Sequence, residues 1–106
     1  MKILAVTSCP SGVAHTYMAA AAIKKAAIAR GHEIKVETQG SIGIENEINM
    51  DEVKEADIVI LTKDVNLSNM ERFTGKPTVK VAITDVVKKS DKIIFSFSSS
   101  SKSFSS

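Results

Sequence analysis

The sequence predicts an α/β fold, a single domain with an open four-stranded parallel sheet and helices on both faces. Three observations lead there. Residues 3–6 and 58–61 are unbroken apolar runs, the pattern of strands covered on both sides. Two further short runs, 33–38 and 78–82, have strand composition, and helical stretches separate all four. Alternation of strand and helix implies parallel strands joined by right-handed crossovers. A chain of 106 residues is long enough for one core and too short for two.

The elements follow in order. After the first apolar strand, residues 12–30 form an alanine-rich helix with high intrinsic propensity, and Val13, Tyr17 and Ile28 fall on one side of it. Gly31 ends that helix, with Lys24, Lys25 and Arg30 toward its negative end. Residues 33–38 alternate polar and apolar, as an outer strand does, and a polar, glycine-containing loop fills 39–49. Asn49 and Glu52 form a capping pair for a short helix over 50–56. The second apolar strand follows. Leu67, Met70 and Phe73 mark another short helix, closed by Gly75 and Pro77 before the last strand. Thr84 is placed to cap a final helix running through Val86 and Val87 toward Ile94.

With the two wholly apolar strands central, the economical strand order is 2-1-3-4. Such an order reverses direction between the first and third strands, and ligands of open α/β sheets bind in the crevice at that switch point, outside the carboxyl ends of the strands. The loop after the first strand begins at Thr7, so it brings Cys9 to that crevice. Gln39, Gly40, Ser41 and Gly43 after the second strand, and Asp64 after the third, are expected to border the same edge.

Composition narrows the function classes. A net charge of +2, with 43% hydrophobic and 25% charged residues, marks an ordinary soluble domain and points to neither a nucleic-acid partner nor a membrane surface. No apolar run approaches the roughly 20 residues of a membrane-spanning helix. The start, Met1-Lys2-Ile3-Leu4-Ala5-Val6, mimics a signal peptide, but its apolar run stops at Thr7 and Ser8. One cysteine cannot form an internal disulfide, which suits a cytoplasmic protein with a free thiol. Residues 1–95 read as the folded domain. Residues 96–106 hold eight serines and read as a disordered tail or linker.

The chemistry centres on Cys9. The segment Cys9-Pro10-Ser11-Gly12-Val13-Ala14-His15-Thr16 joins a buried strand to a helix. Unsatisfied amides at a helix start, with the helix dipole, stabilise an anion and lower a cysteine pKa. The same amides can cradle the oxygens of a phosphoryl group on sulfur. Gly12 permits close backbone approach and Pro10 fixes the turn. A lone cysteine is otherwise a small buried hydrophobe, and the strand–loop–helix position argues against that reading here. His15 either contacts a bound phosphoryl group or caps the loop. Thr16 either donates its hydroxyl to the anion or partners the local backbone. One cysteine and two distant histidines offer no metal cluster, so a metal-free site without a cofactor is expected.

These residues resemble the active-site loop of fructose-type IIB components of the bacterial phosphoenolpyruvate-dependent sugar phosphotransferase system. Glu37-Thr38-Gln39-Gly40-Ser41-Ile42-Gly43, Ala56-Asp57-Ile58-Val59-Ile60 and Arg72-Phe73-Thr74-Gly75-Lys76-Pro77 are similar to that family too, so the resemblance runs from Met1 to about Lys89. It implies that Cys9 accepts phosphate from a phosphohistidine of the IIA component and passes it to a sugar, usually fructose, held by the membrane-embedded IIC component. Such a domain would be cytoplasmic, at the inner face of the membrane through IIC. Ser11 and Val13 replace a threonine and an isoleucine common in the family, and Lys63 stands where a small residue is frequent.

The same residues bear on other classes. A cysteine-dependent phosphatase has Cys-x5-Arg, whose arginine clamps the oxygens; here that position is His15, with Asp64 as the one obvious acid. A thiol redox enzyme lacks the second cysteine of Cys-x-x-Cys. A regulatory module that uses the phosphoryl switch to change partner affinity fits the same loop. A dinucleotide site is disfavoured, because no Gly-x-Gly-x-x-Gly follows the first strand.

Overall fold

The computed structural model describes residues 2–8, 13–40, 43–64 and 66–105, with side chains for all of these except 13–15 and 97–105. The elements are β1 (Lys2–Thr7), α1 (Val13–Ala29), β2 (Glu33–Gly40), β3 (Gly43–Glu45), α2 (Met50–Glu55), β4 (Ile58–Thr62), a 3₁₀ turn (Met70–Phe73), β5 (Thr78–Val81) and α3 (Ile83–Ser105).

The sheet is mixed, with five strands in the order β3-β2-β1-β4-β5. This corrects the four-stranded, wholly parallel sheet expected from sequence. Four of the strands are parallel and run in the expected relative order. The fifth, β3, folds back antiparallel on β2, with Thr38 opposite Glu45 and Gly40 opposite Gly43. Gly43 has φ +110°, a conformation that L side chains rarely adopt, which makes this tight return possible. Part of the expected polar loop 39–49 is therefore a hairpin. A three-residue strand is too short to show periodicity, and its glycine conceals it further.

β2 differs from expectation as well. It is an interior strand, and Val36, Glu37, Thr38 and Gln39 are all buried. The polar alternation of 33–38 suggested one solvated face, but the 3₁₀ turn and the segment around Ile48 cover that face.

Two apolar layers sandwich the sheet. On one side Ile3, Ala5, Val36 and Ile60 meet Ala19, Ile23, Ala26 and Ala27 of α1 and Ile83, Val86 and Ile94 of α3. On the other, Leu4, Val6, Val59 and Leu61 meet Ile48, Val53, Ala56 and Phe73, with Leu67 and Met70 packed at the margin. Tyr17 and Ile28, read from sequence as the apolar side of α1, are exposed instead. The buried stripe is Thr16, Ala19, Ile23, Ala26 and Ala27, because small side chains let the helix lie close against the strands.

The caps are specific. Asn49 and Glu52 form the expected capping box, with Glu52 N donating to Asn49 Oδ1 at 2.9 Å and Asn49 N to Glu52 Oε1 at 3.0 Å. Gly31, at φ +79°, follows the end of α1. At α3 the expected cap Thr84 is exposed and lies inside the helix; the N–H of Ile83 donates instead to Asp64 Oδ2 at 2.7 Å, across 19 residues. The backbone of α3 continues helical to Ser105 with a break in its dihedrals at Lys89, so helix runs through the serine-rich segment read from sequence as a tail.

Candidate functional site

The carboxyl ends of β1, β2, β4 and β5 lie at one edge of the sheet, and β1 is the strand at which the chain reverses direction. Hydroxyl groups hold this edge on both sides of the Cys9 segment. Thr62, the last residue of β4, hydrogen-bonds both backbone groups of Ser8: Ser8 N donates to Thr62 Oγ1 at 3.0 Å, and Thr62 Oγ1 donates to Ser8 O at 3.3 Å. Thr7 Oγ1 donates to the Thr16 carbonyl at 3.3 Å, tying the end of β1 to the first turns of α1. Both threonine side chains are buried. The chain entering the loop and the helix receiving it are thus fixed to each other and to the sheet.

Beside this edge sits a buried ionic network. Arg72 donates to both oxygens of Glu37, at 2.7 and 2.6 Å, and to the carbonyl of Ile48 at 2.7 Å. Ile48 N donates to Glu37 Oε1 at 2.8 Å, and Gln39 Nε2 donates to Glu37 Oε2 at 2.8 Å. The Glu37 side chain is 0% exposed and that of Arg72 8%. Burial by itself pushes the Glu37 carboxyl up, but the hydrogen bonds from Arg72, Gln39 and Ile48 and the Arg72 charge outweigh it and hold the carboxyl below the usual range. The guanidinium also lies 4.6 Å from the centroid of the Phe73 ring. Arg72 is a structural residue here, committed to Glu37 and Ile48.

The residues expected at the site fall as follows. Cys9, Pro10, Ser11, Gly12 and Ser41 lie outside the described residues, as do the side chains of Val13, Ala14 and His15, whose backbone opens α1. Thr16 is buried against the sheet. Gln39 and Gly40 end β2, at the edge where Ser8 leaves β1, since Thr7 pairs with Thr38. Gln39 grips Ser68, accepting from its N–H at 2.8 Å and donating to its carbonyl at 3.1 Å. Gly43 opens β3. Asp64 caps α3. A hollow of about 370 Å³, lined by Thr62, Lys63, Asn66, Leu67, Met70 and Lys80, opens on the β4–β5 side of the edge.

Sequence reading missed two features. Thr62 had a signal, a hydroxyl residue closing an apolar strand beside the switch point. Glu37 had none, because a glutamate in an alternating strand reads as solvated until its partner 35 residues away is placed against it.

The comparisons with known proteins bear on this geometry. A family model described as "PTS system, Lactose/Cellobiose specific IIB subunit" matches residues 4–95. From Escherichia coli (strain K12), "PTS system fructose-like EIIB component 2" is 61% identical over 93 residues, 88% of either chain. The chain belongs to the fructose-type IIB family. A solved relative, the enzyme IIB subunit of the PTS system from Escherichia coli K12, superposes with a TM-score of 0.93 at 35% identity, covering 99% of this chain and 97% of that one. In Bacillus subtilis (strain 168) a IIB stretch is part of a longer protein, the "PTS system fructose-specific EIIABC component", 45% identical over 93 residues, 88% of this chain and 14% of that one. No helix among the described residues is long and apolar enough to cross a membrane.

Proposed function

We propose that this IIB domain is a phosphoryl carrier in a sugar phosphotransferase system. Cys9 takes the phosphoryl group from a phosphohistidine on a IIA partner and gives it to a sugar held by a IIC membrane component, with fructose suggested by the names of the relatives. One observation carries the reading. Cys9 follows Ser8, whose N–H and carbonyl are both held by Thr62 at the switch point of the sheet. A nucleophile needs such a fixed origin, because phosphoryl transfer depends on positioning and charge stabilisation.

The chemistry runs in two displacements. The Cys9 thiolate attacks phosphorus in line; the S–P bond forms as the N–P bond to histidine breaks, and the imidazole keeps the electron pair. A sugar hydroxyl then attacks phosphorus, losing its proton as the thiolate leaves. In this reading the backbone N–H groups of residues 10–16 compensate charge on the transferring oxygens, and the start of α1 favours the thiolate. His15 adds a donor to the same anion, weaker than an arginine fork, which suits a carrier that must release its cargo. The partners enter from the fused IIA, IIB and IIC parts that the name of the Bacillus relative declares. The domain then works in the cytoplasm, against the inner face of the membrane.

Cys9→Ser tests the reading. The replacement is nearly isosteric, so the protein should fold as the parent does, yet transfer from phosphorylated IIA to sugar should be abolished. Transfer retained by that variant would remove Cys9 from the relay.

A further inference from the structure

The two edges of the sheet are finished differently. At one end β3 is three residues long and opens on a glycine, too short to offer much of a ladder. At the other end β5 pairs with β4 from Thr78 to Val81, and its outer side meets no strand. The register decides which backbone groups face outward. Val59 N donates to Pro77 O and Lys63 N to Val81 O, both at 2.9 Å, so the carbonyls of Pro77 and Val81 turn toward β4. Alternation along the strand turns Val79 inward as well and leaves the N–H and C=O of Thr78 and Lys80 pointing out. Among the described residues no hydrogen bond reaches these outward groups.

A hollow lies on each face of this edge. On the face covered by α3, Val79, Val81 and Ile93 line a space of about 270 Å³ together with Asp85, Lys89 and Lys92. On the opposite face Lys80, in register with Leu61, lines the hollow of about 370 Å³ with Lys63, Leu67 and Met70. A strand added to β5 would send its side chains alternately toward these two hollows.

Charge says what kind of strand. The hollows hold four lysines, Lys63, Lys80, Lys89 and Lys92, against the single aspartate Asp85, on a chain whose net charge is only +2. Among the described residues none of the four lysines has an ion pair. Two copies of this edge would repel each other. Edge lysines commonly serve just to keep strands apart, but that role asks for charge and not for a hollow on each face. An extended segment carrying carboxylates meets both features.

We propose that the outer edge of β5 is a docking site for an acidic, extended segment of a partner protein, which adds to the sheet through the outward groups of Thr78 and Lys80. The inference is independent of the reading of Cys9.

The test uses the full chain, isotope-labelled for NMR, and a blocked hexapeptide of alternating glutamate and valine. Binding should move amide resonances along residues 78–81 and along α3 from Asp85 to Ile93. At saturating peptide, exchange of the outward Thr78 and Lys80 amides should slow, while those of Val79 and Val81, already turned to β4, should change little. Lys80→Glu and Lys92→Glu alter exposed side chains, so both should fold as the parent does, and each should weaken binding about fivefold, the scale of one surface ion pair. A peptide with lysine in place of glutamate, or one N-methylated throughout and so without donors, should not bind. Equal binding of either control would overturn the proposal, as would shifts that leave 78–81 untouched or no binding at millimolar peptide. Concentration-dependent shifts at 78–81 without peptide would make a second copy the occupant and overturn it too.

Discussion

Two flanks of one sheet edge are built from different materials. At β1 and β4 the chain is held by neutral hydroxyls, with Thr62 on Ser8 and Thr7 on Thr16. At β2 a fully buried carboxylate is locked by a two-pronged guanidinium, a backbone N–H and an amide. The neutral flank leads into the Cys9 loop; the ionic flank stands one strand away and stiffens the wall beside it. The difference teaches where each kind of interaction belongs. In this fold Arg72 is neutralised by Glu37 and buried against Phe73, while hydroxyls hold the backbone beside the site without adding charge.

Breaking the ionic flank should have the largest effect on stability. Arg72→Ala leaves Glu37 as an uncompensated buried charge, and Glu37→Ala does the same to Arg72; each should cost about 3–5 kcal/mol in chemical denaturation. Transfer by the fraction that stays folded should be close to parental. A loss of transfer at parental stability would make Arg72 a partner-contacting residue and undo the contrast between the flanks.

Acid should weaken the same flank. The folded Glu37 carboxyl titrates below its unfolded value of about 4.3. Its contribution to stability is therefore complete above that value and is lost as pH falls through the lower folded pKa, where the unfolded state has already bound its proton. Compared with Glu37→Gln, the parent should show its full advantage near neutrality and lose it progressively below about pH 4. A gap between the two proteins that stays constant through this window would contradict the assignment.

The neutral flank should answer in the opposite way. Thr62→Val keeps the shape and removes two modest hydrogen bonds, so stability should fall by only about 1 kcal/mol. Transfer should fall much further, by up to about 100-fold if Ser8 and the residue after it move by an ångström. A stability loss matching that of the ionic flank, with normal transfer, would erase the distinction.

How much of this was legible in the sequence depended on the range of the interactions. The wholly apolar strands 3–6 and 58–61, the capping pair Asn49 and Glu52, and the order of the four parallel strands followed from local pattern and chain alternation. β3 escaped because three residues with a glycine carry no period. The strand holding Glu37 was read as an outer, alternating one because the cover of Glu37, Arg72, lies far along the chain. Thr84 was read as the α3 cap and Asp64 was missed for the same reason, since a cap supplied from 19 residues away has no local signature. The Cys9 segment was the reverse case, where an unusual run of residues at a strand–helix junction was enough to point to the family to which the chain belongs.

The most direct measurement is phosphorylation by phosphoenolpyruvate with the general phosphotransferase proteins and a IIA partner, followed by mass mapping of the modified residue. The account predicts one phosphoryl group per chain, on Cys9, lost in Cys9→Ser and discharged on adding sugar with IIC-containing membranes. A phosphoryl group mapped to His15 or any other side chain, or none at all with an active donor, would contradict it.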